Sequence, residues 1–573
     1  MKCSTLIAAI WSGALWAPVP WEAVADEKAW AADGPLPPAL AQGQNGVVVG
    51  TSGPMAVHAG LQTLKNGGSA ADAALATALA QVVECGGSYV SHAGILSMVY
   101  YEAETGKVHC LNAGFNTPRD ENDPLSIPGG GKPSGRTALV PGFMAGVQAA
   151  HDRFGKLSRQ QVFAPAIELA EQGFKLGPWL ARQMQGRKAV LSRLPETRRI
   201  FAKEGETFYA AGERFCQPEL AKTLHHVADQ GAAYMYSGAW ADRFVAAVQR
   251  EGGKITLDDM KSYRADWEEP LRTSYRGREV YAPGFSSLGG VALIEALHLL
   301  ERANLPAQGH YATTPTSLFW LIEISQCQVL GFMPADALKN FDGLDLTAPV
   351  RVKRETAAGI WQRMQDGHWA FAAKFRQPGN LPPNHSDGIV VADRWGNVAT
   401  VTHSINTVLW GDTGLFVGGI SIPDAAAFQQ DAIQRTGPGK RLPDAMCPLI
   451  VLQGGKAVLG SSAIGGGLHQ KTLQVLTSLL DFDIDPQAAV EGPAFLQSDF
   501  SAEPPTAQVD HGEFDGKLLD AVRELGQPVR EVPVEEAGGV RGYWVGVQIE
   551  PKTGLRRAVG TRREPFPSVA EGY

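Results

Sequence analysis

The chain has 573 residues, 44% of them hydrophobic, and a formal net charge of −8 at pH 7. A length of this order buries a substantial core in one large or two ordinary domains. The mildly acidic balance and the lack of any basic block argue against nucleic acid as a partner and leave small-molecule chemistry open.

Met1-Lys2, a largely apolar run over 6–19 and Ala23-Val24-Ala25 have the form of an export signal, residues 1–25. That places the mature start at Asp26 and the protein in the periplasm or outside the cell. The run is shorter than the ~20 residues a membrane helix needs, Pro18 and Pro20 break it, and no later stretch is long and apolar enough to span. Cys85, Cys110, Cys216, Cys327 and Cys447 are too scattered for a disulfide framework; Cys85 with Cys110 is the one pair to check. Neither C-x-x-C nor H-E-x-x-H occurs, so no metal or cofactor is expected.

Residues 26–45 are rich in Ala, Pro and Asp and read as a loose lead-in to a strand at 47–50. The stretch 55–83 predicts two helices divided at Asn66-Gly67-Gly68. Ser69 and Asp72 form a capping box for the second, whose Ala, Leu and Val content predicts burial on all sides. Residues 95–112 read as a hairpin turning at Glu104-Thr105-Gly106. Residues 140–300 are mostly helical, with a strand at 278–283 and a helix over 288–301, and 315–370 continue helical. A Pro/Gly-rich loop over 371–384 leads to a second hairpin, and a glycine cluster at 460–470 precedes a helix over 471–480. Blocks of helices beside antiparallel strands point to an α+β layered fold.

The hairpin 384-NHSDGIVVADRWGNVATVTHSIN-406 is the most informative segment. If it is symmetric about Trp395, Ser386 lies opposite Ser404. Alternation then puts Ile389, Val391, Ala399 and Val401 on a core face, and Ser386, Gly388, Thr400, Thr402 and Ser404 on the other. Clustered hydroxyls at the open end of a hairpin suit a positioned Ser or Thr nucleophile; the plainer reading is a polar strand face in water. The chain lacks a G-x-S-x-G elbow, so His385 and His403 read as loop and strand-face histidines rather than triad bases.

Further stretches carry a family resemblance: 59-AGLQTLKNGGSAADAALATALAQVVE-84, 140-VPGFMAGVQAAHDRFGKL-157, 164-APAIELAEQGF-174, 256-TLDDMKSYRADWEEPLRTSYRGREVY-281, 439-GKRLPDAMCP-448 and the closing EGY at 571–573. With the hairpin, they make the chain resemble the γ-glutamyltransferases (glutathione hydrolases), which are N-terminal-nucleophile hydrolases. The resemblance implies a four-layer αββα sandwich. It implies a precursor that cuts itself at His385–Ser386 into a large subunit, 26–385, and a small one, 386–573, which stay together. Ser386 would be the nucleophile and its freed α-amine, of pKa ~8, the base. Ser404 would orient Ser386, Thr402 and Asn406 match the family pattern, and Gly465-Gly466 would hold the oxyanion. Those glycines also read as an ordinary turn into a helix.

The departures fall where the glutamyl group would sit. The family's arginine for the α-carboxylate aligns with Gly114, with Arg119 as a nearby substitute. Its paired serines become Asp444 and Ala445, and the residues receiving the α-amine fall at 424–427, where Asp424 keeps part of the role. The Thr-His after the nucleophile becomes Asp387-Gly388. Losing the cation and the serines removes contacts worth roughly 1.5–3 kcal/mol each. The expectation is an exported amidohydrolase or acyltransferase on a small-molecule amide or peptide, poor in γ-glutamyl chemistry, with Asp444 and Asp387 favouring a cationic or polar acyl group. The alternative is an inert binding protein on the same fold.

Overall fold

Strands apolar on both faces need cover on each side, and this chain supplies it by stacking two sheets. In a computed structural model the residues described are 39–203, 207–366, 386–502, 504–534, 536–563 and 567–573. The export signal, most of the lead-in, the loop 371–384 and His385 lie outside them.

The first sheet runs, in spatial order, Val569–Gly572, Val47–Gly50, Ser386–Ala392, Val398–Ser404, Ile95–Glu102, Lys107–Ala113 and Asp266–Glu268. The second runs Leu40–Gly43, Arg556–Gly560, Tyr543–Ile549, Lys456–Ile464, Leu449–Gln453, Arg278–Ala282 and Leu271–Tyr275. Every pairing in both is antiparallel. Val47–Gly50 is bonded on one side to Ser386–Ala392 and on the other to Val569–Gly572, so early and late segments interleave.

Between the sheets, Val47, Val99, Val390 and Val398 pack against Ile450, Leu452, Val545 and Val547. Outside the first sheet, helices Pro54–Lys65, Ala70–Glu84, Phe143–Phe154 and Arg159–Gln172 cover Ile389, Val391, Ala399 and Val401. Outside the second, helices Leu288–Ala303, Pro315–Gln326 and Leu468–Asp481 cover Val280, Leu449, Val451 and Trp544. The result is the expected four-layer αββα sandwich of the α+β class.

Local signals behave as the sequence predicts at the second helix. Ser69 Oγ accepts from Asp72 N at 3.1 Å, and Ser69 N donates to Asp72 Oδ2 at 2.9 Å. Every residue from 70 to 83 is buried. Elsewhere tertiary pairing overrides composition. Residues 40–43 of the supposed loose lead-in form an edge strand against Arg556–Gly560. The stretch 315–370 breaks into Pro315–Gln326, Ala335–Leu338, Ala348–Arg351 and Arg354–Gln365. The helix after the glycine cluster begins at Leu468, three residues before 471. Cys85 and Cys110 are both free and buried. Cys85 belongs to the helix-side core and Cys110 to the core between the sheets, so the first sheet separates them. Among the described residues, no helix is long and apolar enough to cross a membrane.

Candidate active site

Ser386 is the first residue of its strand, half-buried and directly opposite Ser404. Ser386 Oγ donates to Ser404 Oγ at 2.9 Å, and Asn406 N donates to the same Ser404 oxygen at 3.2 Å. One hydroxyl thus fixes the other and is itself fixed by the backbone beyond it. The rest of this face is not in water. Thr400 and Thr402 are buried between the sheets, and Thr402 Oγ1 lies 2.8 Å from Ser462 Oγ on the facing sheet. The sheets approach closely at Gly388, where a Cβ would lie 2.7 Å from Ser462 Oγ.

Asp387 points the other way. It is odd-numbered, like Ile389 and Val391, and faces the helical layer. Its Oδ1 accepts from Thr51 Oγ1 at 3.0 Å and Ser52 Oγ at 2.6 Å, and Ser52 Oγ lies 3.0 Å from Tyr89 Oη. Thr51 also brackets Gly388: Thr51 N donates to the Gly388 carbonyl at 2.9 Å, and Gly388 N donates to Thr51 Oγ1 at 2.8 Å. These bonds clamp the strand immediately after Ser386. The expectation that Asp387 shapes an acyl pocket is therefore corrected, because strand alternation turns it away from Ser386 Oγ.

Burial pushes Asp387 up to about 7. Nearby Glu84, whose Oε2 accepts from Ala56 N at 3.1 Å at the start of a helix, is pushed by burial up to about 8. Both pKa values are raised on folding, so the folded chain holds these protons more tightly than the unfolded one. Stability they contribute is complete below about pH 4 and is lost as pH rises through 7 to 8. Glu84→Gln should flatten the fall in melting temperature between pH 5 and about 8, as read by a calorimetric series. An unchanged slope would show that Glu84 does not titrate in that window.

A cavity of about 750 Å³ lies against Asn406, two residues beyond Ser404. Its wall includes Asn406, Asp444, Ala445, Gly465, Gly466 and His469. Ser386 and Ser404 are not part of that wall, and the segment running into Ser386, residues 367–385, lies outside the described residues. Asn406 joins the two features: its N–H holds Ser404, and its backbone takes the left-handed φ of 52° as it enters the wall.

Asp444 is buried, and its Oδ1 accepts from Met446 N at 2.9 Å. Burial pushes its carboxyl up to about 7, with Glu268 adding to the rise and Arg441 opposing it. Asp424 is not in the wall. Its Oδ2 accepts from Asp412 N at 2.7 Å and its Oδ1 from Thr407 Oγ1, so it braces the loop behind Asn406. Arg119 is also absent from the wall: its side chain is 55% exposed and lies beside Asp259. At Gly114 the neighbouring space is taken by Arg441, whose guanidinium is committed to Asn112, Asn116 and Asp266. Arg435, exposed on the wall, and His469, buried in it, are residues the sequence reading missed. Each sits in an ordinary helix, Gln430–Thr436 for Arg435 and Leu468–Asp481 for His469, with no motif to mark it.

Gly465 takes φ of 85°, and a Cβ there would lie 2.4 Å from the Arg541 carbonyl oxygen. Gly467 N donates to that same oxygen at 3.2 Å. Arg541 and Arg563 both pair with Asp510, and Arg563 also pairs with Glu513. A buried ion-pair chain thus anchors the segment against which the glycine turn rests. Among the described residues, no group of three or more His, Cys, Asp or Glu is placed to hold a metal ion.

Two stacked antiparallel sheets between helical layers are a fold of the N-terminal-nucleophile hydrolase type. A solved cephalosporin acylase from Bacillus halodurans shares this fold, with a TM-score of 0.76 over 94% of this chain and 98% of that one, at 23% identity. The family model for gamma-glutamyltranspeptidase matches residues 56–563, and the chain belongs to that family. Among relatives, a glutathione hydrolase proenzyme of Pseudomonas sp. (strain A14) is 27% identical over 79% of this chain and 82% of its own length. An Acylase ACY 1 proenzyme of Pseudomonas sp. (strain V22) is 29% identical over the same shares, 79% and 82%. The protein is therefore a hydrolase or acyltransferase of this family.

Proposed function

We propose that this chain is an exported precursor that cuts itself at His385–Ser386 and then hydrolyses or transfers the acyl group of an amide other than a γ-glutamyl one. The observation that carries this reading is the Ser386–Ser404 hydrogen bond at the head of the strand, with Asn406 N behind it. In the first reaction Ser386 Oγ adds to the His385 carbonyl carbon, the C–N bond breaks, and an ester to Ser386 forms while its amine takes up the proton. Water then cleaves the ester, leaving His385 as a carboxylate and Ser386 as a free amino terminus. The products are a large subunit, 26–385, and a small one, 386–573.

In each turnover the new α-amine takes the Oγ proton as Oγ attacks the substrate carbonyl. The protonated amine returns that proton to the leaving nitrogen. Water or an acceptor amine then releases the acyl group. Gly465 and Gly466, which line the cavity, would stabilise the oxyanion through their backbone N–H groups.

The acyl part of the reading rests on Gly114, Ala445 and the buried Asp444. None of them supplies a cation, and an ionised Asp444 would repel a substrate carboxylate. Arg119 and Asp424 are given no substrate contact in this reading, since neither lines the cavity: the first lies beside Asp259 and the oxygens of the second hold a loop. Relatives that include both glutathione hydrolase and acylase proenzymes support a changed acyl preference within a common reaction.

On a denaturing gel the mature protein should give two fragments, the smaller reading Ser-Asp-Gly from its amino terminus. A single uncut chain from folded, purified protein would reject the proposal, as would efficient turnover of γ-glutamyl anilide with none of neutral acyl anilides.

A further inference from the structure

We infer that the cavity walled by Asn406 is an acyl subsite for an uncharged group with an apolar body. The inference rests on the reading of Ser386 as nucleophile and names the substrate class of that site.

The size of the space is the first ground. A cavity of about 750 Å³ is in the range of sites that enclose a drug-sized ligand, far larger than a glutamyl group needs. Its wall is the second. Leu288, Val329, Phe332, Phe428, Leu468 and Phe500 give it a mainly apolar lining, in which a charged group loses its hydration without a partner.

The third ground is how the polar groups of the wall are disposed. Asp412 is committed, its Oδ1 to Arg187 and its Oδ2 to Gly131 N. Asp431 and Arg435 are exposed, so water screens their charge. Asp444 is buried with its carboxyl pushed up to about 7, so it is only partly ionised at neutral pH: its charge opposes an anionic acyl group and is a weakened partner for a cation. That revises the expectation of a cationic acyl group drawn from the sequence.

His469 is 4% exposed, and its Nε2 has no hydrogen-bond partner among the described residues. Burial lowers its pKa to about 3, so the ring is neutral at physiological pH. Its Nε2 is itself buried, so the ring brings no charge to the cavity and does not offer that nitrogen to a ligand.

The test compares anilides on the processed enzyme: γ-glutamyl, glutaryl and 6-phenylhexanoyl. The neutral acyl group should exceed the two acidic ones in kcat/KM by about 10-fold or more. A smaller advantage, or preference for either acidic group, overturns the inference.

Should the protein prove uncut and inactive, the function reading fails separately. Thermal shifts with 6-phenylhexanamide and glutaramate as probes then decide the subsite: greater stabilisation by the neutral amide upholds it, and greater stabilisation by glutaramate overturns it.

Discussion

Ser386→Ala should leave the precursor as one full-length chain and remove amide turnover, with kcat/KM reduced by about 10⁴-fold or more. Both losses have one origin. On the proposed mechanism the same oxygen attacks the His385 carbonyl in the precursor and the substrate carbonyl in the mature enzyme. The substitution deletes one atom from a half-buried position, so the melting temperature should move little. Ser386→Thr keeps the hydroxyl and should restore two fragments. Ser404→Ala keeps the nucleophile but removes the acceptor that orients it and binds Asn406 N. It should slow both steps by about 10-fold, the worth of one hydrogen bond. A cut, active Ser386→Ala protein would end this account.

Gly465→Ala should have the second-largest effect, and it should act on kcat rather than KM. The residue has φ of 85°, where a side chain is strained, and its Cβ would lie 2.4 Å from the Arg541 carbonyl oxygen. That oxygen belongs to a backbone held through Arg541, Asp510 and Arg563, so the turn must yield rather than its neighbour. Strain and displacement together should cost about 1–3 kcal/mol of stability. Moving the proposed oxyanion donors should lower kcat by about 10²–10³-fold. Calorimetry and initial-rate kinetics on the same preparation separate the two. Normal kcat in a destabilised but folded variant would mean that the turn serves packing and not the oxyanion.

Much of this is legible without coordinates. The turn around Trp395 fixes the hairpin register, which pairs Ser386 with Ser404 as alternation requires. The box at Ser69 and Asp72 and the apolar run behind it specify the buried helix. The direction of Asp387 was legible too, since odd positions of that strand face the helices, but reading it beside the substrate pocket ignored that parity. Arg119 failed for a different reason. Chain proximity to Gly114 carries no weight once the backbone has passed Pro118 and reached Asp259. The cavity itself has no local signature. Its wall is gathered from around 288, 406, 430, 444 and 466, segments brought together by packing the second sheet and its helices. Arg435 and His469 thus carry no marker in the sequence that separates them from ordinary helix residues.

Val47–Gly50 sits between Ser386–Ala392 and Val569–Gly572, so a break at 386 leaves two polypeptides woven into one sheet. Folding of the whole precursor is a first-order event, but reassembly after the break is second-order and depends on dilution. Once the woven pair comes apart, each partner exposes raw sheet edges that invite aggregation. The working lifetime of the mature enzyme is then governed by how fast it opens, a kinetic quantity, rather than by the free energy that selected the fold in the first place.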